Sequence, residues 1–145
     1  MVGIIVTGHG RFAEGFISAI KVIAGEQNDL IPVYFEHEVD ELEQDLRNAI
    51  DTLKECEGVL VFTDLQGGSP FKTAFEISLT NPNMEVISGT NLPMLAEIVM
   101  ARKFGIGLKD LANMAINTGK EQIILLDKEA LLADDDDDEI FEDGI

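Results

Sequence analysis

The chain has 145 residues, of which 46% are hydrophobic and 26% are charged, a balance typical of one globular domain rather than of a disordered segment. Its net charge of −18 makes nucleic acids and anionic lipids unfavourable partners, and its single cysteine excludes an internal disulfide framework and a multi-cysteine metal site. Because no apolar run approaches the roughly 18 residues of a membrane span and the N-terminus lacks the features of a signal peptide, we expect a soluble cytoplasmic protein.

Strand and helix patterns alternate along the first half of the chain. Residues 4–6 predict a short buried strand, and the apolar residues after it recur at helical spacing as far as Gly25. Residues 30–35 predict a second strand, and a helix follows from about Asp40. Residues 58–63 are almost entirely apolar, which predicts a third strand that is buried on both faces.

The same alternation continues in the second half of the chain. The loop after the third strand leads into a helix that reaches Thr80, and residues 84–87 predict a fourth strand. We expect two further helices, from Leu92 to about Lys103 and from Leu108 to Thr118, the second stopping at Gly119. Residues 121–126 predict a last strand.

Acidic residues are concentrated at the C-terminus. Residues 134–145 contain eight of the 28 acidic residues and no basic one. Like charges at this density repel one another and favour a solvated chain. We therefore expect residues 1–126 to form the folded domain and residues 127–145 to form an acidic, flexible tail.

Strands that alternate with helices favour a mainly parallel sheet with helices on both faces, which is a three-layer α/β/α fold. A closed barrel would need about twice as many strand–helix units. In open parallel sheets, binding and catalytic sites form at the carboxyl ends of the strands. Three segments with glycine and polar residues follow predicted strands here: residues 7–10, 64–70 and 89–93.

His9 lies between two glycines, directly after the first predicted strand and before a helix. Glycine allows the backbone to approach a ligand closely, and the N-terminus of a helix offers unpaired N–H groups to an anion. An imidazole at such a position can act as a nucleophile, a general base or a metal ligand, or it can be a loop histidine without a chemical role. The position alone leaves these alternatives open.

Asp64 ends the third predicted strand. In a strand order of 2-1-3-4 that strand lies beside the first one, which brings the carboxylate within reach of His9. A carboxylate that accepts the Nδ1–H of an imidazole leaves the lone pair of Nε2 pointing outward, so a neutral histidine becomes a directed nucleophile. The alternative role for Asp64 is that of a loop cap.

The run Gly67-Gly68-Ser69-Pro70 predicts an anion site at the start of the next helix. Ser69 suits the N-cap position, and Pro70 suits the first helical position. The hydroxyl of Ser69 can bond either to its own helix or to a phosphoryl oxygen. We also expect free N–H groups around Gly10 and Gly68 to bind the same anion. Gly-Gly alone is weak support, since tight turns use it too.

Arg11 and Lys72 each fall in the first turn of a helix that flanks the candidate site. The helix dipole disfavours cations there by about 0.3–1 kcal/mol, so these two suggest contacts with phosphate or an acidic partner, and solvated side chains are the alternative. His37 lies between two glutamates and is expected to be a surface histidine. No paired-histidine spacing supports a metal site.

Together these motifs resemble a known family. The Gly-His-Gly after the first strand, the run Asp64-x-x-Gly67-Gly68-Ser69-Pro70-Phe71 and the run Gly89-x-Asn91-x-Pro93-Met94-Leu95 are similar, in this order, to the mannose-class (mannose/fructose/sorbose) IIA component of the bacterial phosphoenolpyruvate-dependent sugar phosphotransferase system. The resemblance covers about residues 2–126.

The resemblance implies a phosphocarrier that needs no cofactor. Phospho-HPr would phosphorylate the Nε2 atom of His9, and a IIB component would receive the group and so serve the membrane IIC/IID permease. Asp64 matches the carboxylate that orients the histidine, and Ser69 matches the hydroxyl that contacts the phosphate.

The resemblance also implies a fold and an assembly. The family fold has a five-stranded sheet in the order 2-1-3-4-5 with an antiparallel fifth strand, which is exchanged across a homodimer. In this chain that strand would be residues 121–126. Some members continue through a flexible linker into a IIB domain, whereas this chain ends in an acidic tail, so we expect IIB to be a separate polypeptide.

Three other classes of protein share parts of the pattern. A receiver domain needs an acidic pair after the first strand to bind Mg²⁺, where this chain has Thr7-Gly8-His9. The phosphotransferase subunit of a dihydroxyacetone kinase shares the fold and the histidine, but the run from Gly67 to Phe71 favours the sugar branch. A flavodoxin-like cofactor-binding or partner-binding module would need a phosphate loop rich in Ser and Thr and an aromatic stack, and this chain has no Trp and one Tyr.

Overall fold

A parallel sheet of four strands in the order β2-β1-β3-β4 forms the middle layer of the fold. The computed structural model describes residues 1–133. The strands are β1 (Gly3–His9), β2 (Leu30–Phe35), β3 (Val59–Thr63) and β4 (Met84–Ile87). The parallel sheet and the neighbouring positions of β1 and β3 agree with the sequence prediction, and they bring the ends of these two strands together.

Helices cover both faces of the sheet. They are α1 (Phe12–Ala24), α2 (Val39–Thr52), α3 (Ser69–Ser78), α4 (Leu92–Ala101), α5 (Leu108–Glu121) and α6 (Lys128–Ala133). One core cluster packs α1, α4 and α5 against one face of the sheet, and the other packs α2 and α3 against the opposite face. None of the helices formed by residues 1–133 combines the length and the apolar character that a membrane crossing requires.

The central strands are apolar throughout because both of their faces are covered. In β1, Ile4 and Val6 belong to the cluster beneath α1, α4 and α5, whereas Ile5 belongs to the cluster beneath α2 and α3. Successive side chains of a strand point to opposite faces, so a strand with two buried faces has no polar alternation. The polar residues of β1 and β3 are therefore confined to the C-terminal part of each strand and the loop after it.

The predicted last strand is absent from the chain as the structure describes it. Helix α5 does not stop at Gly119 but continues to Glu121, and no strand forms between Gln122 and Asp127. Gly119 is buried against Met94 of α4, where a Cβ atom would collide with the methionine side chain. Close packing of two helices, rather than helix termination, therefore accounts for this glycine, and the described sheet has four strands instead of five.

Helix α4 is slightly shorter than predicted, and Arg102, which directly follows it, turns its side chain inward. The helix ends at Ala101 and tightens into a 3-10 turn, which stops at Gly105 with φ of +76°. The guanidinium of Arg102 is buried and donates hydrogen bonds to the backbone carbonyls of Val2, Asn28 and Asp29. This side chain joins the start of β1 to the loop before β2.

The short helix α6 occupies the first part of the segment that the sequence predicts as a tail. The acidic run that motivates this prediction begins at residue 134 and lies outside the described residues.

Candidate active site

His9 and Asp64 meet at the carboxyl ends of β1 and β3. His9 is the last residue of β1, and Asp64 directly follows Thr63, the last residue of β3. The Oδ2 atom of Asp64 lies 2.7 Å from the Nδ1 atom of His9 and also accepts the backbone N–H of His9 at 2.8 Å. Parallel pairing of β1 with β3 produces this contact, because Thr7 and Thr63 are register partners.

The hydrogen bond to Asp64 selects one tautomer of the imidazole. A carboxylate can only accept, so the Nδ1 atom of His9 carries the proton and the Nε2 atom of a neutral ring carries the lone pair. The side chain of His9 is 47% exposed, whereas that of Asp64 is only 11% exposed. The arrangement thus leaves the imidazole accessible to solvent while the carboxylate that it contacts lies inside.

The pKa of the Asp64 carboxyl lies below its ordinary value. Partial burial by itself would raise the pKa of its carboxyl, but hydrogen bonds from the backbone and imidazole N–H groups of His9 and from the backbone N–H of Leu65 outweigh this effect and lower the pKa below its ordinary value. The carboxylate is therefore a stable acceptor for the imidazole across the physiological pH range.

The start of α3 borders the imidazole of His9. Gly68, rather than the predicted Ser69, is the N-cap residue, and Ser69 is the first residue of the helix. A Cβ atom on Gly68 would lie 2.8 Å from Cε1 of His9, so only glycine leaves room for the ring at this point. Within residues 1–133 the hydroxyl of Ser69 has no hydrogen-bond partner and is available to a ligand.

The backbone N–H groups of Gly10 and Gly68 themselves form hydrogen bonds within the chain, so free N–H groups around these glycines would come from neighbouring residues. The N–H of Gly10 donates to the carbonyl of Phe35 at 2.8 Å, and the N–H of Gly68 donates to the carbonyl of Leu65 at 3.1 Å. Both groups are used to close turns, so they are not available to an anion in this conformation. Glycine serves a geometric purpose at both positions, as a residue with φ of +56° at Gly10 and as clearance beside the ring at Gly68.

Residues 89–93, the third segment that follows a predicted strand, donate hydrogen bonds to the backbone at Thr63 and Asp64. The N–H of Gly89 donates to the carbonyl of Asp64 at 2.9 Å. Thr90 donates to the carbonyl of Thr63 through both its backbone N–H and its hydroxyl, at 3.1 and 2.7 Å. These bonds fix the backbone at the end of β3, a role for Thr90 that no sequence motif indicated.

Phe35 contacts the imidazole from the side of β2. The two ring centroids are 5.6 Å apart, and the ring planes make an angle of 72°. Sequence analysis did not single out this residue, although it ends the predicted second strand, which lies beside β1 in the sheet.

Three other residues considered in the sequence lie on the exposed surface: Arg11, His37 and Lys72. Arg11 immediately precedes α1 and forms an exposed ion pair with Glu14 at 3.4 Å. Lys72 lies on the exposed surface of the first turn of α3. His37 is exposed, as predicted, and lies near Glu38 rather than beside Asp64.

Sequence comparison gives this geometry a family context. The family described as "PTS system fructose IIA component" matches residues 3–116. The fructose-specific EIIA component of Bacillus subtilis is 33% identical over 115 residues, which are 78% of each chain. The mannose-specific EIIAB component of Escherichia coli is 32% identical over 124 residues, which are 84% of this chain and 38% of that protein. The chain thus spans less than half the length of this relative.

Solved structures give the same result for the fold. The phosphotransferase system component EIIA from Streptococcus agalactiae superposes with a TM-score of 0.80 at 30% identity, covering 86% of this chain and 97% of that one. The mannose/sorbose specific IIA subunit from Enterococcus faecalis superposes with a TM-score of 0.78 at 26% identity, covering 86% and 94% of the two chains. The matching profile, the relatives and the shared fold together show that the chain belongs to the mannose-class IIA family of the sugar phosphotransferase system.

Proposed function

We propose that this protein is a cytoplasmic phosphocarrier of sugar uptake, in which His9 accepts a phosphoryl group from phospho-HPr and passes it to a IIB component. Through IIB the group would serve the membrane IIC/IID permease, which couples phosphoenolpyruvate to sugar transport and phosphorylation. The observation that carries the proposal is the 2.7 Å contact between Asp64 Oδ2 and His9 Nδ1, together with the exposure of the imidazole. This contact supports a directed nucleophile at a surface that another protein can reach.

In the proposed step, the lone pair of Nε2 attacks phosphorus while the bond between phosphorus and the donor nitrogen breaks. The donor is a phosphoimidazole protonated on its second nitrogen, and it leaves as a neutral imidazole that keeps the electron pair of the broken bond. His9 becomes a phosphoimidazolium that retains its proton on Nδ1. Asp64 stabilises the positive charge that develops on the ring, and transfer to IIB reverses the sequence.

The phosphoryl oxygens would be held at the start of α3. The hydroxyl and backbone N–H of Ser69 lie at this helix N-terminus, where the backbone dipole favours an anion. Pro70 follows as the second helical residue and contributes no N–H group. We therefore assign phosphate contact to Ser69, and we assign the shaping of the space around the imidazole to Gly10 and Gly68.

The test is phosphorylation with phosphoenolpyruvate, Enzyme I and HPr, followed by intact-mass measurement and peptide mapping. We expect one acid-labile phosphoryl group on His9 of the wild-type chain and none on His9→Ala. The chain has two histidines, so His37→Ala is the matched control and should be phosphorylated normally. Normal phosphorylation of His9→Ala, or an unmodified wild-type chain beside phosphorylated HPr, would refute the proposal.

We also propose a homodimer in which residues 121–126 of one copy form the fifth, antiparallel strand on β4 of the other. Strand β4 is an edge of the described sheet, and an unpaired edge favours strand addition. Four consecutive apolar side chains next to α5 are exposed in the single chain, Leu125 being 96% exposed: Ile123, Ile124, Leu125 and Leu126. Burial of such a patch is a strong driving force for association.

A neighbouring groove supports the same assembly. It has a volume of about 570 Å³, lies between α4 and α5, and is lined mainly by the apolar side chains of Pro93, Ala96, Met100, Phe104, Ile106 and Met114. Sedimentation equilibrium should give a dimer for the wild-type chain and a monomer for Leu125→Asp. Leu132→Asp changes an equally exposed leucine outside the proposed strand and should remain dimeric. A monomeric wild-type chain would contradict the proposed exchange.

A further inference from the structure

The imidazole of His9 is flanked on both sides within the sheet. The strand order β2-β1-β3 places the end of β2 on one side of His9 and the end of β3 on the other. Asp64 follows β3 and contacts the Nδ1 atom, while Phe35 ends β2 and is the register partner of His9. The ring centroids of Phe35 and His9 are 5.6 Å apart at an interplanar angle of 72°, which is an edge-to-face arrangement.

Phe35 is itself fixed in place by the residue that follows the histidine. Its carbonyl accepts the N–H of Gly10 at 2.8 Å, and the two residues form an isolated antiparallel bridge. Gly10 has a φ of +56°, in the left-handed region, which lets the chain turn back toward β2 before α1 begins. The side chain of Phe35 is partly buried against the core beneath α2 and α3. The aromatic ring of Phe35 is therefore held beside His9 by its packing against the core.

The bond to Asp64 alone leaves the imidazole one important freedom. A hydrogen bond tolerates moderate changes in length and angle, so small coupled rotations about χ1 and χ2 of His9 can still shift Nε2 while the bond from Nδ1 persists. The backbone of Gly68 limits motion of the ring on the side of Cε1. It lies so close that a Cβ atom added to Gly68 would be 2.8 Å from Cε1 of His9. Phe35 limits motion of the ring toward β2. With all three neighbours in place, the direction of the Nε2 lone pair is defined.

We propose that Phe35 is a positioning residue for phosphoryl transfer, because its ring holds the imidazole of His9 in the orientation that aims Nε2 at the incoming phosphorus atom. The proposal rests on the phosphocarrier function proposed above. It separates two tasks at the site: Asp64 sets the tautomer and balances charge, whereas Phe35 restricts the orientation of the ring.

The test compares Phe35→Ala with Phe35→Leu in single-turnover transfer from phospho-HPr. Misplacing a reacting atom by about 1 Å can cost up to about 100-fold in rate, so we expect Phe35→Ala to slow transfer by about tenfold or more. The HPr concentration that gives half-maximal rate should remain within about twofold, since orientation rather than docking is lost. Phe35→Leu restores the bulk of the side chain and should recover a large part of the rate.

A second readout separates positioning from a general loss of stability. Nitrogen NMR of the imidazole should show the proton still on Nδ1 in Phe35→Ala, because Asp64 is intact, while relaxation of the ring carbons should show increased motion. Tyr34→Ala is the matched control, since Tyr34 precedes Phe35 in β2, is exposed, and lines a surface groove with residues of α2 that does not include His9. It should alter neither the transfer rate nor the ring motion.

Each other outcome overturns the proposal in a recognisable way. If the wild-type chain accepts phosphate and Phe35→Ala does so equally fast, Phe35 has no positioning role and the phosphocarrier function stands. The same holds if Tyr34→Ala loses as much rate as Phe35→Ala, or if the ring of His9 is equally rigid in Phe35→Ala. If the wild-type chain accepts no phosphate from phospho-HPr, the phosphocarrier function fails and the role of Phe35 in transfer fails with it.

Discussion

A single oxygen atom of Asp64 accepts hydrogen bonds from two nitrogen atoms of His9, the backbone N–H at 2.8 Å and the ring Nδ1–H at 2.7 Å. Because both bonds end on the same atom, the carboxylate fixes the imidazole relative to the backbone of His9 at the end of β1. The second oxygen of Asp64 accepts the N–H of Leu65 at 2.8 Å, so the carboxylate is fixed on both sides. The contact that holds Nδ1 of the histidine and selects its tautomer is thus a direct product of the pairing between β1 and β3.

Asp64→Asn should slow phosphoryl transfer while leaving the affinity for HPr unchanged. The amide keeps the shape of the side chain but removes its negative charge and can present an N–H group to Nδ1, which favours the wrong tautomer. By analogy with other carboxylate–histidine pairs, we expect the transfer rate to fall by about 100-fold or more. Rapid-quench measurement of transfer from phospho-HPr checks the rate, and imidazole nitrogen NMR checks the tautomer. Asp51→Asn on the exposed surface of α2 is the control, and a wild-type rate for Asp64→Asn would contradict the prediction.

The low pKa of Asp64 predicts a pH-dependent contribution to stability. Its pKa is lowered in the folded chain, so the carboxylate stabilises the fold above the unfolded pKa of about 3.9, and this stabilisation is lost as pH falls through the folded pKa. The difference in free energy of unfolding between the wild-type chain and Asp64→Asn should be constant above about pH 5 and should shrink below about pH 4. Urea unfolding at a series of pH values measures it. A difference that stays constant or grows in acid would show that the pKa is not lowered.

Gly68→Ala should impair transfer because the added Cβ atom crowds the imidazole of His9 and, less closely, the carbonyl of Leu65. Gly68 has φ of −75° and ψ of 163°, a conformation that alanine adopts without strain, but the new Cβ atom would lie 2.8 Å from Cε1 of His9. We expect transfer to slow by about tenfold or more with little change in stability.

Gly107→Ala is a closely matched control for this substitution. Gly107 is the N-cap residue of α5 with φ of −73° and ψ of 164°, and an added Cβ atom there meets nothing within 4 Å. Single-turnover rates and thermal unfolding of both variants compare the two positions. Equal transfer rates for both variants would mean that the imidazole moves aside without cost.

Arg102→Met should destabilise the fold strongly without altering the chemistry at His9. The substitution keeps most of the length of the side chain but leaves the backbone carbonyls of Val2 and Asn28 without this donor, and the carbonyl of Asp29 keeps only the N–H of Ile4. The bond to Val2 is buried and those to the loop are partly buried, so we expect a loss of about 1–3 kcal/mol in the free energy of unfolding. Urea unfolding checks this value against Lys103→Met at the next, exposed position, for which we expect less than about 0.5 kcal/mol. Equal losses for the two variants would refute the prediction.

Much of this architecture is predictable from the sequence because local patterns and tertiary packing agree. The predicted second and fourth strands coincide with β2 and β4, since short apolar runs bounded by turn residues leave little choice. The pairing of His9 with Asp64 was also predictable, because two strand ends that carry polar residues meet once the order of the strands is known. The first result follows from local sequence alone, and the second also requires the order of the strands.

The sequence predictions are wrong where contacts between residues far apart in the chain determine the local structure. Gly119 was interpreted as a helix stop, but its hydrogen atom provides the room that Met94 needs, and that contact spans two helices. In the same way, Phe35 and Leu65 accept the N–H groups of Gly10 and Gly68 in turns that local sequence does not specify.

Arg102 also constrains the order in which the protein can fold during synthesis. Its guanidinium bonds to the carbonyl of Val2, 100 residues earlier in the chain, and to the loop that precedes β2. A ribosome therefore releases β1 and β2 long before the side chain that joins them exists, and the nascent N-terminal third must remain incomplete until the fourth helix has emerged. Contacts of such high sequence separation slow folding and expose unpaired strands to chaperones and to neighbouring nascent chains. Expression yield of this protein should thus depend on translation speed through the last third of its message.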